Sequence, residues 1–421
     1  MNVLLIGGGG RENAIAYKIA ESPKLTKLYI APGNPATAEY GENIALDTSN
    51  YKLIEAFVND AKIELIIVGP EEPLVNGIAD YFNERGISVI GPCSKGAALE
   101  GSKEFAKDFM IRHNIPTARY KSFAKDDIEK GYIFLEELEA PYVLKADGLA
   151  AGKGVIIVDN LDEAKASLKE MLSGKFGAAS KKVVIEEYLS GIELSVFVLT
   201  DGKSYKILPE AKDYKRIGDG DKGLNTGGMG AVSPVPFANK TFMNKVIKNI
   251  VEPTIHGLQK DNIQYKGFVF IGLMNCNGEP YVIEYNVRMG DPETEVVFPR
   301  LEADVLDLFC GVAEGNLETK ECPISPKTAV TIVAVSKGYP ESYEKGFEIK
   351  GTTSIKNNII FHAGTSMKDG KLVTSGGRVL TVTALGNNLQ ETIQSAYKSI
   401  EKIDFEGCYY RKDIGKDLLD F

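Results

Sequence analysis

The first hundred residues alternate between short apolar runs and longer amphipathic stretches. The apolar runs are rich in Val, Ile and Leu, and they predict strands at 3–6, 28–31, 65–68 and 89–90. The stretches between them have helical spacing and predict helices at 12–21, 52–60 and 77–85. Strands that alternate with helices predict a parallel, doubly wound sheet. The loops after its strands should meet at one edge, where such sheets bind ligands.

The pattern changes after residue 101. A helix is predicted at 102–113, and strands linked by loops dominate 142–209, with one helix near 162–172. The glycine-rich, charged stretch 213–230 predicts a long functional loop. A later helix and a pair of strands joined by Asn277-Gly278 are predicted at 240–259, 268–275 and 281–285. After a short linker at 323–327, strands and a final helix are predicted at 329–336, 359–362, 378–384 and 389–402.

These patterns predict an α/β protein of three domains. The N-terminal domain, residues 1–101, is the doubly wound parallel sheet. The central domain spans 102–322, and within it the strand-rich segment 116–193 is expected to act as a mobile lid. The C-terminal domain, 328–421, is a small α+β unit.

Composition narrows the class of protein. The chain has 421 residues, of which 43% are hydrophobic and 25% charged, which is ordinary for a globular protein. No apolar run approaches the roughly 20 residues that span a bilayer. Five scattered cysteines without a Cys-x-x-Cys pair predict reduced thiols and a cytoplasmic location, without a zinc site. A net charge of −9 argues against nucleic acid as a partner and leaves small-molecule substrates.

Two segments carry candidate phosphate and metal chemistry. Glu284, Asn286 and Arg288 follow an apolar run at alternate positions, so a strand would place them on one face. A carboxylate and an amide oxygen suit a hard cation such as Mg²⁺, and an arginine can stabilise charge on a transferring phosphoryl group. The other segment is a glycine loop between two strands, expected to fold over a triphosphate. Its candidate residues are Gly152, Lys153 and Gly154, joined by Lys145 on the strand before the loop and Lys103 at the start of the helix 102–113.

A third segment lies between these two. Glu186, Glu187, Tyr188 and Leu189 end an apolar strand and could form a hinge for adenine. In that reading Glu186 accepts a hydrogen bond from the exocyclic amine of adenine. Glu193 on the next strand could then hold the ribose hydroxyls.

The glycine run that opens the chain follows a strand and starts a helix. Gly8, Gly9 and Gly10 present backbone N–H groups at a helix N-terminus, and Arg11 adds a charged donor, which predicts a phosphate site. A Rossmann fingerprint needs a third small residue, and Glu12 or Asn13 stands there instead. A nicotinamide oxidoreductase is therefore the weaker alternative.

The lysine strand, glycine flap, hinge and Glu-x-Asn strand, in that order, resemble the ATP-grasp superfamily. The flanking motifs resemble one member of it, the phosphoribosylamine–glycine ligase (GAR synthetase) family. The matching segments are 9–12, 31–34, 68–71, 73–75, 99–103, 145–154, 225–231, 290–294, 361–365, 376–380 and 411–415. The resemblance covers the whole chain.

This resemblance implies a ligase of purine biosynthesis that joins glycine to 5-phospho-D-ribosylamine with ATP and Mg²⁺ or Mn²⁺. It implies a central ATP-grasp domain, and a monomer is expected. Arg288, Lys145 and Asp213 are the implied catalytic residues, Glu284 and Asn286 the metal ligands, and Lys212 a further nucleotide contact. The implied substrate contacts are Gly8, Gly9, Gly10, Arg11, Glu12, Gly33, Asn34, Pro70, Glu71, Asn225, Gly228, Met229, Gly230, Asp291 and Pro292.

Three positions depart from the family pattern. Asn13 and Tyr214 stand where many relatives carry histidine, and Gly272 stands where many superfamily members carry a third metal ligand. Two further alternatives stay open at this point. One is another ATP-grasp activity, a carboxylase or a formyl-transferring purine enzyme, and the other is a nucleotide-binding module without catalysis.

Overall fold

The computed structural model describes residues 1–150 and 154–421. It opens with five parallel strands in the order β3-β2-β1-β4-β5, which confirms the predicted doubly wound sheet. The elements here are β1 (Asn2–Gly7), α1 (Gly10–Ile19), β2 (Lys27–Pro32), β3 (Glu42–Asn43), α2 (Tyr51–Asp60), β4 (Leu65–Val68), α3 (Glu71–Val75), α4 (Ile78–Asn83) and β5 (Ser88–Ile90). The short helix α3 was expected as loop. Proline is tolerated in a first helical turn, which explains how Pro73 fits there.

Both faces of this sheet are buried. Leu4 and Ile6 of β1 pack into one apolar cluster, and Val3 and Leu5 pack into another on the opposite face. A strand covered on both faces is apolar at every position, which is why its sequence shows a continuous run. Each cluster continues into residues of the central part of the chain, so the N-terminal sheet is packed firmly against that part.

A second, antiparallel sheet forms the predicted lid segment, with strand order β6-β9-β7-β8. The elements up to its last strand are α5 (Ser94–Gly101), α6 (Lys103–Arg112), β6 (Tyr120–Ala124), α7 (Ile128–Glu136), β7 (Tyr142–Ala146), β8 (Val155–Val158), α8 (Leu161–Leu172) and β9 (Lys182–Glu187). The two helices α7 and α8 pack with the strands around a separate core that includes Phe134, Leu144 and Leu168. The segment is therefore a compact unit, while its closure stays a prediction.

The stretch 213–230, expected as a loop, has about half of its residues in short strands. The elements here are β10 (Ile192–Thr200), β11 (Tyr205–Ile207), β12 (Lys212–Asp213), β13 (Arg216–Gly218), β14 (Lys222–Asn225) and β15 (Gly230–Ser233). Strands β13 and β14 form a hairpin. The sequence patterns did not predict β12 to β15, because each spans at most four residues and β13, β14 and β15 each contain a glycine.

A third sheet, in the order β11-β10-β16-β17, faces the lid sheet. It is completed by α9 (Lys240–Val246), α10 (Glu252–Lys260), β16 (Gly267–Cys276) and β17 (Glu279–Asn286). One π-helical turn, Ile247–Val251, joins the two helices, so the predicted helix 240–259 is continuous. The predicted turn between β16 and β17 is confirmed, with both Asn277 and Gly278 at positive φ.

The elements after β17 are α11 (Thr294–Val297), α12 (Val305–Glu314), β18 (Thr328–Val335), β19 (Ile359–His362), β20 (Thr365–Lys368), β21 (Lys371–Thr374), β22 (Arg378–Gly386) and α13 (Leu389–Ile400). The main sheet of the C-terminal part has the order β12-β15-β18-β22-β19. Two of the five strands, β12 and β15, come from the central part of the chain. The sheet therefore crosses the predicted boundary between the central and C-terminal domains. No helix among the described residues is long and apolar enough to cross a membrane.

Candidate active site

The lid sheet and β17 meet at a buried lysine. Lys145 on β7 donates to the carbonyl oxygen of Ile283 on β17 at 3.3 Å. Glu186 on β9 lies 2.9 Å from the ammonium of Lys145 and 2.8 Å from that of Lys107 on α6. All three charged side chains are buried. The Glu186 carboxylate is thus paired with two lysines, and its predicted contact with the amine of adenine stays a prediction.

Lys103 begins α6 beside this cluster. The start of the helix is fixed by Asp147, which accepts hydrogen bonds from the Ser102 hydroxyl at 3.0 Å and the Glu104 amide at 2.8 Å. Burial lowers the pKa of Lys103, although nearby Glu284 favours its charged form. Within the described ranges no carboxylate lies within 4 Å of its ammonium. Lys103 is therefore a positive group available to an anionic ligand.

Glu284 near the end of β17 is surrounded by positive charge. Burial opposes its ionised form, but the neighbouring cations outweigh burial and hold the pKa of Glu284 below its ordinary value. These cations are Lys215, Lys145, Lys103 and Arg288. Across residues 1–150 and 154–421, neither Glu284 nor Asn286 has a side-chain hydrogen bond or ion pair. Their oxygens are free to accept a ligand.

This donor set fits a magnesium ion that takes most of its ligands from elsewhere. Mg²⁺ is usually held by one or two carboxylates together with phosphate oxygens and water. The described residues contain no group of three His, Cys, Asp or Glu side chains that could hold a metal without such help. Gly272 lies directly opposite Glu284 in the ladder, so no third side chain comes from that position.

Arg288 lies beyond the end of β17. Its guanidinium contacts Glu100 at 2.7 Å and Glu71 at 3.3 Å, and Glu100 also accepts a hydrogen bond from the amide of Val287 at 2.8 Å. The predicted alternation along one strand therefore ends at Asn286. Glu71, predicted to contact substrate, is instead a partner of Arg288.

The predicted hinge joins the lid sheet to the third sheet. Glu187 points to the opposite face from Glu186, as alternation requires, and accepts a hydrogen bond from the amide of Arg119 at 2.8 Å. The following Tyr188 is 44% exposed and Leu189 is half-buried. Both are therefore accessible to a ligand.

Three other predicted nucleotide contacts lie in the glycine loop, and a fourth lies at the start of the strand after the hinge. Glu193 pairs with Lys215 at 2.5 Å in place of the predicted contact with ribose. The carbonyl of Gly154 accepts a hydrogen bond from the amide of Ala146 at 2.7 Å. Gly152 and Lys153 lie outside the described residues.

The glycine run meets the loop after β2, as predicted, and it also meets the tail after β17. Asn34 donates from its amide nitrogen to the carbonyl of Gly8 at 3.0 Å and to that of His362 at 2.8 Å. A Cβ on Gly8 would collide with the carbonyl of Gly33, and a Cβ on Gly9 would lie 3.3 Å from the Asp291 carboxylate. Glycine is required here because the two loops and the tail approach so closely.

Arg11 and Glu12 are already paired within the protein. Glu12 accepts hydrogen bonds from the Gly9 amide and from Arg11 Nε, each at 2.7 Å. Arg11 also donates to the carbonyl of Met289 at 3.0 Å. Both side chains are buried. Glu12 thus supports the glycine turn in place of the predicted substrate contact, and Arg11 links α1 to the tail after β17.

Several other predicted contacts have structural roles. Met229 is fully buried in the core of the C-terminal sheet, and Gly230 packs against the carbonyl of Thr331. The ammonium of Lys212 pairs with Asp417 at 2.6 Å. The ligand contacts predicted for these three residues stay predictions.

The remaining predicted contacts lie at turns. Pro70 precedes α3 as its N-cap, Asn225 ends β14, and Gly228 packs against Pro292. Gly10 begins α1, where a Cβ would collide with the carboxylate of Glu295.

The structure adds residues that the sequence patterns did not single out. Lys107 and Lys215 were not distinguishable from solvated lysines, because their partners are distant in sequence. Glu293 was overlooked within a recognised motif. Burial and the nearby charge of Asp213 raise the pKa of Glu293 to about 8, and burial likewise raises the pKa of Asp213.

Comparisons with known proteins place this geometry in a family. The family models of three phosphoribosylglycinamide synthetase domains match this chain. The N domain matches residues 1–100, the ATP-grasp (A) domain matches 101–294, and the C domain matches 329–417. A phosphoribosylamine–glycine ligase of Pasteurella multocida is 46% identical over 420 residues, which is 99% of this chain and 97% of that protein. The chain belongs to the phosphoribosylglycinamide synthetase family. The predicted resemblance is confirmed.

Other members of the phosphoribosylglycinamide synthetase family are similar to this chain over nearly its whole length. A phosphoribosylamine–glycine ligase of Rhizobium meliloti is 47% identical over 416 residues, covering 99% of this chain and 98% of that one. The crystal structure of such a ligase from Thermotoga maritima superposes with a TM-score of 0.87 at 37% identity, covering 98% of this chain and all of that chain. A biotin carboxylase domain from Hydrogenobacter thermophilus shares the fold at 17% identity, with a TM-score of 0.73 and coverage of 97% and 91%.

Proposed function

We propose that the protein joins glycine to 5-phospho-D-ribosylamine, giving glycinamide ribonucleotide while ATP becomes ADP and phosphate. Membership of the phosphoribosylglycinamide synthetase family supports an ATP-dependent ligase of purine biosynthesis. The candidate site adds a physical reason. It concentrates lysine and arginine around one carboxylate, which is what an enzyme that moves a phosphoryl group requires.

The reaction needs an activated carboxylate. Glycine's carboxylate does not acylate an amine in water, because its oxygen is a poor leaving group. Attack of that carboxylate on the γ-phosphorus of ATP releases ADP and gives glycyl phosphate. The amine of phosphoribosylamine then attacks the acyl carbon, phosphate leaves and the nitrogen loses a proton. The protein's contribution is to hold the reactants together and to neutralise charge.

Each part of the nucleotide site has a proposed role. Lys145 and Lys103 contact phosphate oxygens of ATP, and Arg288 stabilises the transferring phosphoryl group. Glu284 and Asn286 would hold Mg²⁺ or Mn²⁺, which supplies further neutralisation of phosphate charge when bound. The backbone of Tyr188 and Leu189 pairs with the adenine edge.

The proposed role of the glycine run is to bind phosphoribosylamine. Gly8, Gly9 and Gly10 present amides at the start of α1, where the phosphate of phosphoribosylamine can bind. Arg11 adds positive charge behind them, and Asp291 lies close to Gly9.

Each domain has its own proposed role in binding the substrates. We propose that residues 1–101 bind phosphoribosylamine, 102–322 bind ATP, with 116–193 closing as a lid, and 328–421 complete the fold. Lid closure would protect glycyl phosphate from water. All the groups named come from one chain, so we propose that a monomer is sufficient.

The observation that carries this proposal is Glu284. Four cations keep this half-buried carboxylate ionised, and within the described part of the chain it has no hydrogen bond or ion pair of its own. Its oxygens are therefore open to a metal ion such as Mg²⁺ bound with ATP.

The test is an ADP-release assay with each substrate omitted in turn. Stoichiometric release of ADP and glycinamide ribonucleotide should require ATP, glycine and phosphoribosylamine together. Bicarbonate or formate in place of glycine should not support it. Release that depends on bicarbonate would favour a carboxylase, the activity of the fold neighbour, and would contradict the proposal.

A further inference from the structure

Lys107 on α6 carries a buried charge to which the proposed mechanism gives no role. Its side chain is 2% exposed, and its ammonium lies 2.8 Å from Oε2 of Glu186. The ammonium of Lys145 lies 2.9 Å from Oε1 of the same carboxylate. The two lysines therefore pair with one carboxylate oxygen each. When all three groups are ionised, the cluster has one more positive than negative charge.

The ammonium of Lys107 is enclosed by other protein groups as well. It donates to the Thr117 hydroxyl at 2.8 Å, and this hydroxyl donates to the carbonyl of Val282 on β17 at 2.7 Å. The ring of Tyr120 on β6 lies 5.6 Å from the ammonium. Lys107 thus links α6 to the lid segment and to β17. It is not placed to contact a nucleotide directly.

Lys145 differs from Lys107 in having a donor to spare. An ammonium has three N–H donors. Within the described residues, the partners of Lys145 are Glu186 and the carbonyl of Ile283, at 3.3 Å. One donor therefore remains for a phosphate oxygen. Without Lys107, the whole negative charge of Glu186 would act on Lys145 and would offset the positive charge that Lys145 presents to a phosphate.

We propose that Lys107 is a positioning residue for ATP, which neutralises Glu186 and so leaves the charge of Lys145 available to the phosphate groups. The inference rests on the proposed function, because it assumes that Lys145 contacts ATP. Burial opposes the ionised form of Glu186, but Lys145 and Lys107 together hold the pKa of Glu186 below its ordinary value. Glu186 therefore stays charged. Charges in a water-poor site act on one another strongly, so the partner of Glu186 matters to a nearby phosphate.

The protonation of Lys107 makes this effect depend on pH. Burial lowers the pKa of Lys107 to about 8, although Glu186 favours its charged form. The other ionisable side chains that act on its charge or face its ammonium are Lys145, Glu187 and Tyr120. As the pH rises through about 8, Lys107 loses its proton and Glu186 is left with Lys145 alone. Nucleotide affinity should then fall.

The experiment removes the charge of Lys107 and then restores the charge balance. Calorimetric titrations use the full chain with Mg²⁺ and a non-hydrolysable ATP analogue, at pH 7 and at pH 9. Lys107→Met is compared with the double variant Lys107→Met/Glu186→Gln, in which the carboxylate that needs neutralising is also absent. Lys165→Met is the matched control, since Lys165 pairs with Glu136 elsewhere in the lid. Circular dichroism verifies folding.

At pH 7, Lys107→Met should bind the analogue about 3- to 10-fold more weakly than the wild-type protein, and the double variant and the control should bind it about as tightly. Between pH 7 and pH 9 the wild-type protein should lose more affinity than the double variant. This comparison stays decisive even if Lys107→Met does not fold.

The inference is overturned if Lys107→Met binds with wild-type affinity, if the double variant is as weak as Lys107→Met, or if the wild-type protein and the double variant depend equally on pH. A purely structural role of Lys107 predicts the second of these results, because Glu186→Gln cannot replace a lost packing contact. A wild-type protein that does not bind the analogue at either pH would contradict the proposed function itself.

Discussion

The two ends of the candidate site use their charged residues differently. At the end of β17, Glu284 has no protein partner in the described chain, although four cations surround it. At the glycine run, Arg11 and Glu12 are paired with one another and with backbone groups. Arg288, between these regions, is paired with two carboxylates.

The difference shows which charges are available to a ligand. A buried charge is costly unless it is paired, so an unpaired one is expected where a ligand supplies the partner. A charge that is already paired fixes the backbone around it. The nucleotide end therefore offers side chains to its ligand, whereas the glycine run offers mainly backbone amides. A charged residue in a motif does not by itself identify a contact with substrate.

The largest expected effect comes from removing the free oxygens at the end of β17. Glu284→Ala and Asn286→Ala should each lower kcat by at least about 100-fold, because each removes a ligand of the metal that neutralises phosphate. Glu279→Ala is the matched control, since Glu279 lies at the exposed other end of β17 and pairs with Lys245. Steady-state ADP release measures the effect, with circular dichroism to verify folding. Near-normal turnover in both site variants would refute the metal assignment.

Lys145 and Lys107 both pair with Glu186, so comparing them tests whether Lys145 also contacts ATP. Lys145→Met should raise the KM for ATP and lower kcat by about 10- to 100-fold, because it removes a positive charge beside the phosphates. Lys107→Met removes the other partner of Glu186 and should have a smaller effect on both constants. Equal effects would mean that the two lysines only neutralise Glu186.

Arg11 tests whether a paired charge also serves a substrate. Arg11→Ala should raise the KM for phosphoribosylamine by about one to two orders of magnitude, the cost of about 1.5–3 kcal/mol for a charge-assisted contact. The KM for ATP should stay nearly unchanged. Lys18→Ala is the control, on the same helix and paired with Glu21. If the Arg11 variant loses ATP affinity alone, the division between the two ends is wrong.

The smallest expected effect is a loss of folding stability at low pH that comes from His362, next to the glycine run. Burial lowers the pKa of His362 from 6.5 to about 4. Below pH 6.5 the unfolded chain therefore binds a proton at His362, whereas the folded protein binds it only below about pH 4. Stability is full above pH 6.5 and falls as the pH drops through this window, by about 1–3 kcal/mol.

Urea unfolding measures this loss. Between pH 7 and pH 4.5 the wild-type protein should lose more stability than His362→Gln, which cannot take up the proton. The backbone of His362 also bonds to Asn13 at 2.7 Å and to Asn34, so the histidine lies where the C-terminal sheet supports the glycine run. Identical pH dependence in the two proteins would show that the burial of His362 has no such effect.

Much of the fold could be predicted from the sequence because its signals are local. The apolar runs of β1 and β4 are buried on both faces, and the turn at Asn277-Gly278 requires positive φ. Strands β12 and β15 could not be predicted in this way. Both are short, β15 begins with a glycine, and β15 pairs with β18, about a hundred residues further along.

The candidate site shows the same limit. The alternation around Glu284 and the glycines near Gly8 were readable from spacing. The pairing of Glu186 with Lys107 was not, because the two residues are 79 positions apart and nothing local links them. The sequence predicted Arg11 as a free phosphate donor, whereas it pairs with the adjacent Glu12 and with the carbonyl of Met289, 278 residues away. Only the bond to Met289 is beyond what local spacing can show.

The central claim is that the end of β17 holds a metal–nucleotide complex through groups that the protein leaves unpaired. Calorimetric titration with a non-hydrolysable ATP analogue, in Mg²⁺ and in excess chelator, tests it most directly. The wild-type protein should bind the analogue much more tightly with Mg²⁺. Glu284→Gln should bind it with the same weak affinity in both conditions. Metal-dependent binding of wild-type strength in Glu284→Gln would contradict the account.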